Sequence, residues 1–322
     1  RPGVGNEATS AGRFAGMTTG NLPTHWRLRT RALELPWHGG AIRRPLVMGI
    51  VNVTPDSFSD GGRHADAGAA VAHGLELVAQ GADILDVGGE STRPYSAAVD
   101  AGEEWRRVGE VVRRLVREAG VPVSIDTSKA AVAARALEAG AEIVNDVTGL
   151  EGDPEMIGVA VGSGAGVCAM HMQGTPQTMQ EDPRYGDVVA DIHAYLARRR
   201  DALLAAGIPL DRICLDPGIG FGKTHAHNLA LLAGAAAFLD LGAPILVGHS
   251  RKGFLAKTLT SALGREPTEA DRDAATTGAA CHLAAAGIQI VRVHAVGTVR
   301  AALDLFVACR AAGGATLPTA RC

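Results

Sequence analysis

The sequence has 322 residues, 47% of them hydrophobic, so it can bury a large core in one α/β domain or in two smaller ones. Its 31 basic and 34 acidic residues are well mixed and sum to −3, which excludes the broad positive surface that binds nucleic acid or an anionic membrane. The five cysteines lie far apart without paired spacing, and no apolar run reaches the ~18 residues of a membrane helix. These features predict a soluble, cytoplasmic protein with reduced thiols.

The first 40 residues differ from the rest in composition. They are rich in Gly, Thr and Arg and contain few acids, so we expect a flexible N-terminal extension over residues 1–40. An organelle-targeting leader is the alternative interpretation of the same composition. A single folded domain over residues 41–310 and a C-terminal tail over residues 311–322 complete the predicted organisation.

One unit recurs from residue 46 onward. A helical segment ends at a glycine, such as Gly81 or Gly287, and an apolar run begins within a few residues. Between these runs apolar residues fall three and four apart, as in Val108, Val112 and Leu115, which indicates amphipathic helices. Eight apolar runs are predicted to be strands: 46–51, 84–87, 121–125, 143–145, 167–170, 213–215, 245–247 and 288–291.

The alternation of eight strands with helices predicts the fold. Eight such units over about 270 residues match a single-domain (β/α)₈ TIM barrel, whose buried parallel strands form continuous apolar runs. A doubly wound open sheet is the alternative.

Polar residues follow nearly every predicted strand. In a barrel these positions meet at one rim, so together they predict a site, although single members could cap helices or satisfy turns. The candidates are Asn52, Asp56, Thr92, Arg93, Asp126, Asn145, Met170, Asp216, Lys223, Lys252, Arg292 and His294.

The chemistry of these groups predicts a ligand with two parts. Carboxylate and amide acceptors at Asp126, Asn145 and Asp216 suit a flat heterocycle that displays N–H donors. The cationic group from the last two strands, Lys252, Arg292 and His294, suits a phosphate-like anion, which barrels often bind at this position.

The stretch 218–224, Gly-Ile-Gly-Phe-Gly-Lys-Thr, is similar to a nucleotide phosphate loop but fails its spacing by one residue, because Pro217 stands where the first glycine is required. We interpret it as a turn that lets Phe221 and Lys223 reach over a ligand. His225 and His227 lack a third nearby metal ligand, so they are not predicted to bind metal.

As a set, these motifs resemble the dihydropteroate synthase family of the folate pathway. The resemblance covers about residues 46–307, in the order of the family, and its first two motifs are highly specific. The signature stretches are 49–62, 88–94, 126–129, 145–146, 216–223, 250–252 and 292–294.

The resemblance implies a (β/α)₈ barrel, usually homodimeric, that is a target of sulfonamides. It implies an enzyme, a transferase that joins 6-hydroxymethyl-7,8-dihydropterin diphosphate to 4-aminobenzoate, forming 7,8-dihydropteroate and diphosphate. It further implies that Mg²⁺ is the cofactor and that Asn52 is the residue through which it joins the diphosphate.

The family also assigns roles to the other residues. Asp126, Asn145, Asp216 and Lys252 resemble its pterin-binding residues, and Arg292 and His294 resemble its diphosphate clamp. Asp126, Lys252, Arg292 and His294 are the expected catalytic group. The aminobenzoate pocket and remaining substrate contacts are assigned to Asp56, Phe58, Thr92, Arg93, Pro94, Met170, Phe221, Lys223 and Ser250.

Two other functions fit part of the pattern. A pterin-binding methyltransferase domain shares the barrel and the pterin acceptors, but it needs neither a diphosphate clamp nor the Ser-Thr-Arg-Pro motif at 91–94. A binding-only pterin module would keep every single-residue match. Tyr95-Ser96 stands where many members of the family have Gly-Ala, and we interpret this as variation.

Overall fold

The computed structural model describes residues 22–36, 43–54, 63–92, 96 and 98–312. Eight parallel strands form one sheet in which strands that are consecutive in the chain lie side by side, and a bridge between Leu215 and Ile245 joins its two ends. The sheet is therefore closed, which confirms the TIM barrel and shows that the open-sheet alternative is wrong. The barrel strands are β3 Leu46–Asn52, β4 Ile84–Gly88, β5 Val123–Asp126, β6 Ile143–Asp146, β7 Gly166–Met170, β8 Ile213–Asp216, β9 Leu246–Gly248 and β10 Ile290–Val293.

Helices alternate with these strands and cover the outside of the barrel. Their apolar faces pack on it, as the fully buried Val108, Val112 and Leu115 of the helix Ala101–Glu118 do. Gly287 ends the helix Glu269–Ala286 in the left-handed conformation with φ of 92°, as its place in the sequence predicts. The helices are α1 Arg63–Ala79, α2 Ala101–Glu118, α3 Ala130–Glu138, α4 Met156–Ser163, α5 Val188–Ala205, α6 His225–Ala233, α7 Gly253–Leu263, α8 Glu269–Ala286 and α9 Val296–Ala312.

Alternate residues of each barrel strand face the interior, because side chains alternate across a strand. The lower interior layer is apolar and includes Met48, Ile84, Ile143, Cys168, Cys214, Leu246 and Ile290. Two residues further along each strand, the upper layer is largely polar and includes Asp86, Asp126, Asn145, Met170, Asp216 and Arg292. The barrel interior is thus apolar where the strands begin and largely polar where they end.

A β-hairpin closes the apolar end of the barrel. Its strands are β1 His25–Arg27 and β2 Ala32–Glu34, and its Trp26, with no exposed surface, packs in the cluster of the lower layer. The Trp26 indole also donates to the Arg212 carbonyl oxygen at 3.0 Å, and the Thr30 hydroxyl donates to Glu142 at 2.7 Å. The predicted flexible extension over residues 1–40 is therefore wrong for residues 22–36, which fold because Trp26 has a deep apolar site to fill.

The end of the folded domain lies close to its predicted position. Helix α9 continues to Ala312, two residues into the predicted C-terminal tail, and the rest of that tail lies outside the described residues. Within the described part of the chain, no helix is long and apolar enough to cross a membrane.

Candidate active site

Strand register brings the predicted pterin acceptors to one level of the barrel. Asp126 on β5 pairs with Asn145 on β6, and Met170 on β7 pairs with Asp216 on β8. Asn145 and Asp216 are 5% exposed and Met170 is 4% exposed, so these side chains form a nearly closed floor. The sequence-based expectation that these distant residues converge is confirmed in its geometry.

Arg292 crosses the barrel and joins two carboxylates. Its Nε donates to Asp86 Oδ2 and its Nη2 donates to Asp126 Oδ2, each at 2.6 Å. Asn145 Nδ2 donates to the same Asp86 oxygen at 3.0 Å. Arg292 therefore lies in the acceptor layer and holds the carboxylate that the pterin ring is expected to use.

Burial perturbs the carboxylates of this layer. Burial raises the pKa of Asp126 to about 7; the Arg292 charge opposes this shift and Asp86 adds to it. Burial also raises the pKa of Asp216, which Lys252 and a 2.7 Å hydrogen bond from the Gly218 N–H oppose. Asp126 can thus gain or lose a proton near neutral pH, and Asp216 is easier to protonate than an exposed aspartate.

The cations of the site respond to the same environment in different ways. Burial lowers the pKa of Lys252 to about 7, with Asp216 acting in the opposite direction. Burial also disfavours the Arg292 charge, but Asp86 and Asp126 outweigh it and raise the pKa of that guanidinium. Arg292 is therefore the permanent positive charge of the layer, and Lys252 is the adjustable one.

The ends of β9 and β10 place three predicted residues together. Ser250 Oγ accepts from the His294 backbone N–H at 3.2 Å and lies 3.0 Å from His294 Nδ1. Lys252 Nζ lies 4.2 Å from the centre of the Phe221 ring and donates to the Ile219 carbonyl oxygen. Phe221 thus reaches the cationic part of the site, as its turn predicts.

Lys223 does not reach over the site. It is 2% exposed, and its Nζ contacts the Phe221 carbonyl oxygen at 2.8 Å and His171 Nδ1 at 3.0 Å. Its Nζ instead lies under the 218–224 turn and satisfies the backbone of that turn, so the substrate contact of Lys223 stays a prediction. Gly218 and Gly222 lie so close to the carbonyl oxygens of His171 and Gln173 that a Cβ would stand 1.9 and 2.5 Å from them. The glycines serve this close backbone packing.

The loop residues of the site are described only in part. Asn52 ends β3 in register with Gly88, and Thr92 is half-buried. Within the described ranges, no group of three or more His, Cys, Asp or Glu side chains could hold a metal ion. The predicted site residues Asp56, Phe58, Arg93 and Pro94, and the variant Tyr95, lie outside the described residues.

Two groups in or beside the site were not predicted. Asp86 is fully buried in the middle of β4, and a charged residue within the apolar run 84–87 is the signal that could have revealed it. Lys129 Nζ bridges Glu90 and the fully buried Glu104, each at 2.6 Å, and Glu90 also accepts from the Val99 N–H at 2.9 Å. This second group anchors both ends of the connection that carries Thr92.

The chain shows extensive similarity to known proteins. The profile of the pterin binding enzyme family matches residues 48–294. A dihydropteroate synthase of Escherichia coli (strain K12) is 44% identical over 255 residues, which are 79% of this chain and 88% of that protein. The chain belongs to the dihydropteroate synthase family. It is therefore a transferase of folate biosynthesis.

Solved structures of the family agree with this fold. The Yersinia pestis dihydropteroate synthase, solved with a sulfonamide drug complex, superposes with a TM-score of 0.80 at 40% identity and covers 89% of this chain and 99% of its own. The Xanthomonas albilineans dihydropteroate synthase, solved with 4-aminobenzoic acid, has a TM-score of 0.77 at 44% identity and covers 86% of this chain and 98% of its own. This chain thus has the fold of these solved dihydropteroate synthases.

Proposed function

We propose that this chain joins 6-hydroxymethyl-7,8-dihydropterin diphosphate to 4-aminobenzoate, giving 7,8-dihydropteroate and diphosphate. The observation that carries the proposal is the layer in which Asp126, Asn145 and Asp216 face the permanent cation Arg292. Acceptors for ring N–H groups and a charge for a phosphate are thereby combined in one site. The Xanthomonas albilineans relative with bound 4-aminobenzoic acid supports the second substrate.

The pterin ring binds, in this proposal, by exchanging partners with Arg292. Asp126 and Asp216 accept ring N–H groups, and Asn145 and Met170 line the ring. Ring donors take the place of Arg292 Nη2, which donates to Asp126 at 2.6 Å in this structure. Arg292 is then available to the diphosphate that the ring carries.

The chemical step needs no protein nucleophile. The bond between the pterin methylene carbon and the diphosphate oxygen breaks, and its electron pair leaves with the diphosphate. The positive charge left on the methylene spreads into the ring, where the Asp126 carboxylate stabilises it, while Arg292, His294 and Lys252 stabilise the departing anion. The amine nitrogen of 4-aminobenzoate then forms the new carbon–nitrogen bond and loses a proton.

Mg²⁺ fits this site as an ion that binds together with the diphosphate. One amide oxygen at Asn52 is a small protein contribution, which suits an ion that commonly keeps several waters and binds substrate phosphates. Asn52 would hold the ion, and when bound Mg²⁺ would neutralise charge on the leaving group.

The aminobenzoate is proposed to lie between the turn of Phe221 and the connection of Thr92. Phe221 offers an apolar ring beside Lys252, and Ser250 offers a hydroxyl. Asp56, Phe58, Arg93 and Pro94 belong to this pocket by their motifs. A sulfonamide, which resembles 4-aminobenzoate, would bind there.

The homodimer and the cytoplasmic location also stay predictions.

The proposal is tested by diphosphate release from the pterin diphosphate with Mg²⁺, with and without 4-aminobenzoate, together with detection of dihydropteroate. Product that forms only with both substrates supports the synthase. Tight pterin binding without release in either condition would overturn it and favour a binding-only module. Methyl transfer to a corrinoid without diphosphate release would favour the methyltransferase.

A further inference from the structure

Asp86 is the most deeply buried carboxylate of the polar layer and the one without an assigned role. Its Oδ2 accepts from Arg292 Nε at 2.6 Å and from Asn145 Nδ2 at 3.0 Å. Its Oδ1 is buried and has no hydrogen-bond partner among the described residues. One aspartate with no exposed surface therefore touches two residues proposed to bind substrate.

The two carboxylates on Arg292 are not equivalent. Asp86 lies in the middle of β4 and meets the inner nitrogen Nε, whereas Asp126 ends β5 and meets the terminal nitrogen Nη2. A ligand that enters from the rim reaches Asp126 first. Ligand exchange can therefore release Nη2 while the bond between Nε and Asp86 remains.

This exchange would be costly without a second anchor. A buried guanidinium that loses its only carboxylate keeps an uncompensated charge, so it would resist giving up that partner. With Asp86 in place, Arg292 keeps one charge-assisted hydrogen bond in both states. The cost of freeing Asp126 is reduced accordingly.

We propose that Asp86 is a positioning residue that anchors Arg292 through Nε, so that the pterin ring can take over Asp126 while the guanidinium stays directed at the diphosphate. This inference rests on the proposed function. Asp86 touches no reacting atom in this scheme and acts through Arg292, with Asn145 as its second contact.

The test is a double-mutant cycle of Asp86→Asn and Arg292→Ala. Asparagine keeps the size of the side chain and removes its charge, so Arg292 is left with Asp126 alone. In the parent background we expect Asp86→Asn to lower kcat and to raise the KM for the pterin diphosphate, with kcat/KM falling on the order of 10- to 100-fold. The KM for 4-aminobenzoate should not change.

In the Arg292→Ala background the same substitution should have almost no further effect on kcat/KM. The arginine that Asp86 anchors is then absent, and Asp86→Asn removes a buried charge that has lost its partner, so Tm should rise. An equal loss of kcat/KM in both backgrounds would show a general structural role and would overturn the proposal.

Ser124→Ala is the matched control. Ser124 is fully buried in register with Asp86 on the neighbouring strand, and its Oγ has no partner among the described residues. We expect parent kinetics from this variant, whereas a loss equal to that of Asp86→Asn would overturn the proposal. A parent enzyme that forms no dihydropteroate contradicts the proposed function itself; an active parent with an unaffected Asp86→Asn variant contradicts only the role of Asp86.

The pH profile gives a readout that a purely structural residue would not move. The Asp86 charge raises the pKa of Asp126, so Asp86→Asn should shift the acid limb of kcat/KM to lower pH. An acid limb that stays in place would count against the coupling of the two carboxylates.

Discussion

Arg251 has a left-handed backbone with φ of 56°, and its Nε and Nη2 donate to the two carboxylate oxygens of Asp273 in α8 at 2.7 and 2.8 Å. A non-glycine residue in this region is strained, typically by about 1 kcal/mol or more. The Arg251 N–H also donates to Thr276 Oγ1 at 3.1 Å. Helix α8 thereby holds the turn that directs Ser250 and Lys252 into the site, while Arg251 points away from it.

We expect Asp273→Ala to destabilise the protein by about 1–2 kcal/mol, because it removes one partner of a half-buried, two-point ion pair. It should also lower kcat/KM, because the strained turn can relax and move Lys252. Arg251→Gly relieves the strain, so adding Asp273→Ala to it should cost much less than in the parent. Urea unfolding and steady-state kinetics of the parent, the two single variants and the double variant measure these free energies and the changes in kcat/KM. Strictly additive effects would contradict a role for α8 in holding the turn.

The eight strands could be predicted because each contains a continuous apolar run, and most of these runs follow a helix-ending glycine. The convergence of Asp126, Asn145 and Asp216 followed, since parallel strands bring their ends to one rim. The partners within that rim could not be predicted in the same way. Arg292 and Asp86 lie 206 positions apart, and no local pattern shows which of two carboxylates meets which nitrogen.

The hairpin of β1 and β2 and the direction of the Lys223 side chain could not be predicted either, for other physical reasons. Strands β1 and β2 are three residues long, too short for a readable alternation, and lie in a segment rich in polar residues. The direction of Lys223 depends on the buried His171, whose position is set by a different strand. In both cases the structure depends on packing against residues far away in the sequence, and local composition does not reveal that packing.

Two groups with perturbed pKa values predict a narrow pH optimum. Asp126, with its pKa raised to about 7, becomes a carboxylate as pH rises, so the kcat/KM for the pterin diphosphate should increase through that region. Lys252, with its pKa lowered to about 7, loses its charge as pH rises further, so kcat/KM should then decrease. Initial rates across the pH range measure both limbs.

Two substitutions separate these limbs. Asp126→Asn should abolish the acid limb along with most of the activity, because an amide does not titrate. Lys252→Arg should move the basic limb to higher pH, because a guanidinium keeps its charge. A basic limb that stays unchanged in Lys252→Arg would mean that another group produces it.

The buried position of Lys223 predicts that its main contribution is to the stability of the protein. Lys223→Met removes the Nζ that satisfies the Phe221 carbonyl oxygen at 2.8 Å, and we expect a loss of about 1–3 kcal/mol of stability. The KM for 4-aminobenzoate should rise because Phe221 is less well held. Lys257→Met, the same change at an exposed lysine of α7, is the control for thermal unfolding and kinetics. A rise in KM with an unchanged Tm would instead support the direct substrate contact first predicted for Lys223.

Trp26 predicts that the closed end of the barrel supports stability without taking part in the reaction. Its indole has no exposed surface and packs against the lower layer, which includes Ile84, Ile143 and Ile290, so Trp26→Ala should cost about 3–5 kcal/mol. Leu33→Ala, a truncation of a half-buried neighbour in the same hairpin, should cost less. Because the layer with Asp126 lies above these apolar residues, kcat at low temperature should stay close to the parent value. Urea unfolding followed by far-UV circular dichroism, together with rates at low temperature, tests both parts. A Trp26→Ala variant that kept parent stability would show that the hairpin merely rests on a barrel already closed by its own side chains.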